Sequence, residues 1–336
     1  MLLVAAAPAL DHHDVGRRHP EQPARVQAAL AGIEGAGLRD AVVTLEPRRA
    51  SEDELALVHT VAYLEALRAF CEAGGGALDP DTMAGPGSWD TALLAAGGAL
   101  AVIDALAQGD GDVAFVAARP PGHHALADEP MGFCLLNNVA VAAASLAARG
   151  ERVLIVDWDV HHGNGTQAIF WDDPRVLYVS THQWPLYPGT GRCTETGGPL
   201  APGLTVNVPL PPHATGDVVL RALDDVVAPV VDRFAPTWVL ASAGYDAHRA
   251  DPMAGLDLTA GDFADIALRV RALAPGPGRL AFLLEGGYDL DALRLSVGAS
   301  LAAVLDTEFR PEHASSGGPG FEAVETARRA QLDGGD

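Results

Sequence analysis

One stretch of the chain joins a buried-strand pattern to a dense group of metal-ligand residue types. Residues Val153 to Gln167 read V-L-I-V-D-W-D-V-H-H-G-N-G-T-Q. The first four residues form the continuous apolar run of a buried parallel strand, and Asp157, Asp159 and His161 follow at alternating positions, on one side of an extended chain. Carboxylates and an imidazole together suit Zn²⁺ or a similar divalent ion. The stretch predicts a metal site at the carboxyl end of a strand, whereas one D-x-H pattern alone is usually a solvated turn.

Polar side chains also follow three other apolar segments that are predicted to be strands. Strands alternate with helices along the chain, which favours a parallel sheet covered by helices on both faces. In open α/β sheets the functional site lies outside the carboxyl ends of the strands. We therefore expect three further groups to converge on Asp159 and His161, namely His123 and His124 after residues 112–117, Asp246 after residues 237–243, and Tyr288 after residues 279–284.

These residue types can perform metal-assisted chemistry. A catalytic zinc needs three protein ligands and one open position; Asp159 and His161 supply two ligands, and Asp246 is the best third because it ends a separate strand. Such a zinc polarises a carbonyl and lowers the pKa of bound water to about 7. The tandem pair His123 and His124 suits one proton shuttle and one electrostatic partner, although either residue taken alone would more often be a packed histidine.

Tyr288 completes this group because it follows the flexible pair Gly286-Gly287. The glycines would let its phenol reach the centre and donate a hydrogen bond to a developing oxyanion. A tyrosine at a strand end is more often a packing residue, so its assignment depends on the neighbouring groups. Together these residues predict metal-assisted hydrolysis of an amide.

Composition limits the partners and the classes of chemistry. The chain has 336 residues, 49% of them hydrophobic, which is enough for one large α/β domain. The net charge of −22 argues against nucleic acid as a partner and favours cationic substrates. The sequence contains no lysine, so all 22 basic residues are arginine, and Schiff-base chemistry and a phosphate-loop lysine are excluded.

The cysteines and apolar segments indicate the compartment. Cys71, Cys134 and Cys193 are odd in number and lack C-x-x-C spacing, which suits a reducing cytoplasm better than a disulfide framework or a thiolate zinc site. Residues 1–10 are apolar without a basic flank, so they are expected to form a first strand rather than a signal peptide. Glycine and aspartate interrupt residues 93–106, which favours a buried helix over a membrane span. A cytoplasmic protein without a membrane partner is expected.

Six motifs, in this order, resemble the zinc-dependent histone deacetylase family, most closely its class II-like bacterial branch, whose relatives include acetylpolyamine amidohydrolases. They read R-P-P-G-H-H-A, G-F-C-L-L-N-N, D-W-D-V-H-H-G-N-G-T-Q, Y-P-G-T-G, A-G-Y-D-A-H and L-E-G-G-Y-D. The resemblance spans roughly residues 11–305. It implies a single α/β domain with an eight-stranded parallel sheet flanked by helices, related to arginase. Residues 1–310 would form the catalytic domain, and residues 311–336 a flexible link and a short helix packed on it.

The resemblance also implies the roles of the metal ligands and of the general base. One catalytic zinc ion would be bound by Asp159, His161 and Asp246. His124 would act as general base and acid. Many relatives pair this histidine with an aspartate, whereas this chain offers Asn164, as the class II-like branch does. An uncharged partner leaves the imidazole less basic.

Further roles are implied for the residues around the zinc. His123 would pair with Asp157, and Tyr288 would stabilise the tetrahedral intermediate. A structural potassium ion would be bound by Asp157, Ser180 and Thr181 with neighbouring backbone carbonyls.

The same resemblance implies a substrate channel. Phe133, beside Gly132, would wall the channel that holds the acyl-amine chain. Asp81, on the loop before a long helix, would hold the substrate's backbone amide at the rim. Arg25 would line an exit path for acetate, or else be an exposed helical arginine.

Three hypotheses about function follow. The favoured one is a zinc amidohydrolase that removes an acetyl or other acyl group from an amine, with an acetyl-lysine peptide as substrate. An acetylpolyamine is the alternative substrate, but no long insertion that would narrow the entrance lies between Cys71 and Ser88. An arginase-like manganese hydrolase would want carboxylates where His123 and His124 stand, and a non-catalytic binding module would be expected to lack a ligand, His124 or Tyr288. Homo-oligomer formation is left open.

Overall fold

The computed structural model describes residues 1–6, 12–16 and 19–332. Of the expected first strand, residues 2–5 are a strand, and residues 7–10 lie outside the described part of the chain. The last four residues of the C-terminal segment, 333–336, also lie outside it.

Strands and helices alternate along the chain, as the apolar patterns predict. In order, they are β1 (Leu2–Ala5), α1 (Ala24–Gly35), β2 (Val42–Leu45), α2 (Glu52–Leu55), α3 (Val61–Glu72), β3 (Gly76–Ala77), β4 (Met83–Ala84), α4 (Ser88–Gln108), β5 (Val113–Val116), α5 (Asn138–Ala148), β6 (Val153–Asp157), α6 (Asn164–Phe170), β7 (Val176–Gln183), β8 (Thr205–Leu210), α7 (Gly216–Ala222), α8 (Ala228–Phe234), β9 (Trp238–Ala243), α9 (Ala260–Leu273), β10 (Leu280–Leu284), α10 (Leu290–Val304) and α11 (Phe321–Leu332).

Eight of the strands form one parallel sheet in the order β2-β1-β5-β10-β9-β6-β7-β8, which confirms the predicted fold class. Alternating side chains of each strand enter the cores on opposite faces of the sheet. On β6, Leu154 and Val156 pack into one core, while Val153 and Ile155 pack into the other. Burial on both faces explains why these strands read as continuous apolar runs.

The strand order determines where the polar strand ends meet. β5, β10, β9 and β6 are consecutive neighbours at the centre of the sheet. Because they are parallel, their carboxyl ends lie at the same edge. The loops that follow these four strands carry the histidine pair, Tyr288, Asp246 and the Asp159–His161 group respectively.

Three local features depart from a simple alternation of strands and helices. β7 extends to Gln183, so Ser180 and Thr181 lie inside the strand, because this polar end is buried and continues to pair with β8. A π-helical segment at Leu223–Val227 lies between α7 and α8. The segment between α3 and α4 contains the small antiparallel pair β3 and β4.

Two helices in the described part of the chain correspond to the predicted buried apolar helix and to the predicted C-terminal helix. α4 is long and apolar enough to cross a membrane, but 72% of its most apolar 18-residue window is buried inside the protein, as in a core helix. α11 packs against β8 at the sheet edge through Val324 and Ala327. The link before it, residues 311–320, is held by hydrogen bonds such as that between Glu312 and His248, with Oε2 and Nε2 2.8 Å apart.

Candidate active site

Asp159, His161 and Asp246 bring three potential ligand atoms together beyond the ends of β6 and β9. His161 Nδ1 lies 3.1 Å from Asp159 Oδ1 and 3.2 Å from Asp246 Oδ2. One ligand atom from each residue lies within 4.8 Å of the others, and all three residues are buried. Among the described residues, this is the one group of three or more side chains arranged to hold a metal ion.

Backbone groups hold the other carboxylate oxygens and so orient the pair. Gly286 N donates to Asp159 Oδ2 at 2.7 Å, and Val160 N donates to Asp246 Oδ1 at 3.0 Å. A Cβ on Gly286 would lie 2.0 Å from Asp246 Oδ2, and one on Gly244 would lie 2.1 Å from Asp159 Oδ2. Glycine at both positions therefore makes room for the carboxylates.

The donor set fits a divalent cation. Burial lowers the pKa of His161, but the carboxylates of Asp159 and Asp246 outweigh this effect and raise it to about 10. Two buried carboxylates facing one imidazole thus favour positive charge between them. Two oxygens and one nitrogen from the protein match the three-ligand, open arrangement of catalytic zinc sites.

His123 lies beside this group and is paired with a buried carboxylate. Its Nδ1 lies 3.0 Å from Asp157 Oδ2, which also accepts a hydrogen bond of 3.2 Å from the Tyr178 hydroxyl. Burial lowers the pKa of His123, but Asp157 and then Asp159 raise it to about 10. The structure therefore pairs His123 with Asp157, as the family resemblance implies.

His124 is held as a neutral base. Its ring centroid lies 4.0 Å from that of His123 and 6.0 Å from that of His161. Burial and the positive charges of these two rings lower its pKa well below the ordinary value. Asn164 Oδ1, 2.7 Å from His124 Nδ1, can only accept, so Nδ1 carries the proton and Nε2 remains free to accept another.

A tight turn places Gly132 next to the His124 ring and Phe133 next to Tyr288. Both residues have positive φ, 55° and 69°, and a Cβ on Gly132 would lie 2.4 Å from the His124 ring. Phe133 N donates to Thr82 Oγ1 at 3.1 Å, which ties this turn to the loop before α4. The Phe133 ring meets Tyr288 edge-on, with ring centroids 5.9 Å apart.

These residues enclose a narrow cavity of about 170 Å³. Larger cavities of about 560 and 450 Å³ lie elsewhere and contain neither the metal group nor the histidine pair. Sequence reasoning anticipated six residues of the cavity wall but missed three. The wall contains the anticipated Asp81, His124, Gly132, Phe133, His161 and Tyr288, together with Leu186, Tyr187 and Met253.

Tyr288 lies in the cavity wall above Arg25. The guanidinium carbon of Arg25 is 4.8 Å from the Tyr288 ring centroid. Burial raises the pKa of Tyr288 well above 10, so the phenol keeps its proton and can donate it in a hydrogen bond. Arg25 is fully buried and not an exposed helical arginine; it donates to Gly287 O at 2.7 Å, to Glu285 O, and pairs with Glu21 at 3.3 Å.

Glu285, the acidic residue of the L-E-G-G-Y-D motif, follows β10 directly and is a functional residue that the motif alone does not explain. Its Oε2 accepts from Gly122 N at 2.6 Å and His123 N at 3.1 Å, and Ser242 Oγ donates to Oε1 at 3.3 Å. Burial raises the pKa of Glu285 to about 7. The side chain therefore anchors the loop that carries the histidine pair.

The rim residue and the residues proposed for potassium are also located. Asp81 lines the cavity, and burial followed by the nearby Asp79 raises its pKa. Ser180 is the β-sheet partner of Asp157, and Thr181 follows it, both buried. A potassium ion at this position remains a prediction.

Comparisons with known proteins agree with this geometry. The model of the Histone deacetylase domain matches residues 19–304. The chain is 42% identical over 315 residues to a probable deacetylase of Archaeoglobus fulgidus, covering 89% of this chain and 88% of that protein. It is 39% identical over 275 residues to the histone deacetylase-like amidohydrolase of Pseudomonas aeruginosa, covering 80% and 72%. The crystal structure of the HDA15 HD domain superposes with a TM-score of 0.90 at 34% identity, covering 99% of this chain and 94% of that chain.

Proposed function

The chain belongs to the histone deacetylase family, and from this premise we propose that it is a zinc-dependent amidohydrolase that removes acyl groups from acylated amines such as acetyl-lysine. Deacetylase or amidohydrolase activity is the family's activity. The observation that carries the proposal is the meeting of three groups in one small cavity: the metal group, the neutral His124 and the protonated Tyr288.

Zinc held by Asp159, His161 and Asp246 would supply Lewis acidity, which polarises an amide carbonyl and makes water more acidic. His124 Nε2 would take the proton of the attacking water and then deliver it to the leaving amine. Tyr288 would donate a hydrogen bond to the developing oxyanion.

The surroundings would support these steps. A protonated His123, with its ring 4.0 Å from that of His124, would disfavour a positive charge on His124. His124 would therefore be neutral at rest, with the lone pair of Nε2 free to take the proton of the attacking water. Phe133 and Tyr187 would exclude water around the acyl-amine chain, which strengthens the electrostatic interactions in the cavity.

For the substrate, we favour an acetyl-lysine peptide. Asp81 lies in the cavity wall on a loop tied to Phe133 through Thr82, and its carboxylate would accept a hydrogen bond from a peptide N–H. The net charge of −22 would attract either a lysine-rich peptide or an acetylpolyamine. An acetylpolyamine is therefore the second candidate. The contact of the substrate with Asp81 at the cavity rim would distinguish the two.

A potassium ion held by Asp157, Ser180 and Thr181 belongs to the same proposal. The β6–β7 pairing that sets Asp157 beside Ser180 supports it.

The first test compares kcat/KM for an acetyl-lysine peptide and for N-acetylputrescine in the wild type, Asp81→Ala and the half-exposed control Asp257→Ala. We expect the peptide to be the better substrate and only Asp81→Ala to weaken its turnover. A better polyamine substrate with peptide turnover unaffected by Asp81→Ala would reverse the substrate assignment. No hydrolysis of either amide by zinc-loaded enzyme would reject the proposed activity.

The second test uses elemental analysis and His124→Ala. We expect one zinc per chain and a retained metal in His124→Ala, with kcat reduced roughly 10²–10⁴-fold, the usual contribution of general acid–base catalysis. Two metals per chain would favour the arginase-like alternative. Normal turnover by His124→Ala would remove this residue from the mechanism.

A further inference from the structure

Asp251 joins two segments of the cavity wall through one buried carboxylate. Its Oδ2 accepts from Tyr288 N at 2.6 Å and from Asp289 N at 3.1 Å. Its Oδ1 accepts from Met253 N at 3.0 Å. Tyr288 and Met253 both line the cavity, although they follow different strands, β10 and β9.

Tyr288 lies in a segment whose backbone would otherwise be weakly restrained. It follows Gly286 and Gly287, and Gly287 has a φ of 118°, which is accessible mainly to glycine. A glycine pair at this point gives the chain wide conformational freedom before the tyrosine. Something outside the segment must therefore fix where the phenol points.

Besides Asp159, which accepts from Gly286 N at 2.7 Å, two side chains hold the backbone next to the tyrosine itself. Arg25 donates to the carbonyl of Gly287 at 2.7 Å and to that of Glu285, so it holds the backbone before Tyr288. Asp251 accepts the N–H groups of Tyr288 and Asp289, so it holds the tyrosine itself and the residue after it. Asp289 then caps α10, with its Oδ1 2.8 Å from Ala292 N.

The chemistry of Asp251 suits this role. The residue is 6% exposed, and its carboxylate accepts three backbone N–H groups. Three N–H donors on one carboxyl group fix its orientation, and the group in turn fixes the backbone segments that donate to it. An oxyanion donor loses much of its effect when it is displaced by about 1 Å, so a rigid anchor on the donor's own N–H matters for rate.

We infer that Asp251 is a positioning residue, which fixes Tyr288 as the oxyanion donor by holding its backbone N–H and that of Asp289. The inference rests on the proposed function, because it requires Tyr288 to act on the substrate. Asp251 itself would not touch the substrate. Its effect on catalysis should therefore pass through the Tyr288 hydroxyl.

A double-variant cycle tests this coupling with an acetyl-lysine peptide and zinc-loaded enzyme. Asp251→Asn preserves size but replaces one acceptor oxygen with an N–H₂ group that cannot accept. We expect Tyr288→Phe to lower kcat about 10²–10³-fold, the usual effect of removing one oxyanion donor. Asp251→Asn should lower kcat by about tenfold or more, but by no more than Tyr288→Phe does. Its KM and zinc content should stay close to those of the wild type.

In the Tyr288→Phe background, adding Asp251→Asn should change kcat less than about threefold, because the donor that Asp251 positions is already absent. Asp257→Asn on the same loop, half exposed and paired with His213, is the matched control and should leave kcat unchanged. Asp251→Glu, which keeps both acceptor oxygens, should recover part of the rate lost in Asp251→Asn. Urea unfolding of each variant accompanies the kinetics.

Different failures have different meanings. If the losses in kcat multiply in the double variant, or if Asp251→Asn raises only KM, Asp251 does not act through Tyr288 and the inference is wrong. If Asp251→Asn has the wild-type kcat while Tyr288→Phe is impaired, only the inference fails. If Tyr288→Phe is fully active, the proposed role of Tyr288 fails first and the positioning role fails with it.

Discussion

Asn164 Oδ1 lies 2.7 Å from His124 Nδ1, so a neutral amide, not a carboxylate, orients the base of the site. The amide oxygen accepts the Nδ1 proton and leaves Nε2 directed to proton transfer. This contact adds no negative charge that would offset the effect of burial on the pKa of His124.

Asn164→Asp should therefore shift the pH dependence of kcat/KM. The added carboxylate favours the imidazolium and raises the pKa of His124, so the neutral base is reached only at higher pH. The acidic limb of the profile should move upward in pH, as measured with an acetyl-lysine peptide. An unchanged limb would mean that the ionisation of His124 does not control this part of the profile. Asp172→Asn, on the surface after α6, serves as a control for the handling of pH and buffer.

Asp246→Ala should remove metal binding and activity together. Its Oδ2 is one of the three atoms that face the same point, and two ligands hold a divalent ion far less tightly than three. Zinc content after dialysis and turnover at saturating substrate are the measurements. Stoichiometric zinc with normal turnover in this variant would show that the metal group has been misassigned.

Gly132→Ala should reduce turnover through a steric clash. The new Cβ would lie 2.4 Å from the His124 ring, closer than a packed ring can tolerate, so the ring must move. We expect kcat/KM to fall by about tenfold or more, because a displacement of about 1 Å in a catalytic group can cost up to 10²-fold. Gly109→Ala is the matched control, since Gly109 also has positive φ but nothing within 4 Å of its Cβ position. Equal losses in the two variants would point to backbone strain instead of the clash.

Glu285→Gln should alter how stability depends on pH. Burial raises the folded-state pKa of Glu285 from its ordinary 4.5 to about 7, so the folded protein favours the protonated acid. The favourable contribution is complete below pH 4.5 and is lost as the pH rises through 7, by at most about 3–4 kcal/mol at about 1.4 kcal/mol per pKa unit. Glutamine does not titrate, so the free energy of unfolding of the variant relative to the wild type should increase between pH 5 and 8. Urea titrations of metal-free protein at fixed ionic strength measure this difference in the free energy of unfolding. A difference that stays constant from pH 5 to 8 would mean that Glu285 does not titrate in that range.

The sequence was sufficient to predict the parallel sheet and the polar residues that follow its strands, because both depend on local patterns. Continuous apolar runs such as Val153–Val156 identify buried parallel strands, and parallel strands bring their carboxyl ends to one edge. The capping boxes at Ser51 and at Thr259, each formed with an acidic residue three positions later, are local features of the same kind. These features depend on neighbours within a few residues.

The remaining wall of the cavity depends on contacts between distant segments. Leu186 and Tyr187 belong to a Gly/Pro-rich loop. Tyr187 begins the Y-P-G-T-G motif, but nothing local directs the loop toward His124. Asp251 and Glu285 read as ordinary acidic residues, because the N–H group of Tyr288 lies 37 residues from Asp251, and those of Gly122 and His123 lie 163 and 162 residues from Glu285. The family motifs located Phe133, for which helix or strand periodicity gave no signal.

The position of β10 between β5 and β9 also affects how the protein folds during synthesis. Before residues 280–284 are available, the sheet consists of two separate halves, β2-β1-β5 and β9-β6-β7-β8, each with an unpaired inner edge. β10 pairs with both edges at once and brings Tyr288 with it. A nascent chain that ends before this strand would expose two apolar strand edges and have no complete site. Such edges favour aggregation, so chaperone protection should matter most for chains that lack residues 280–336.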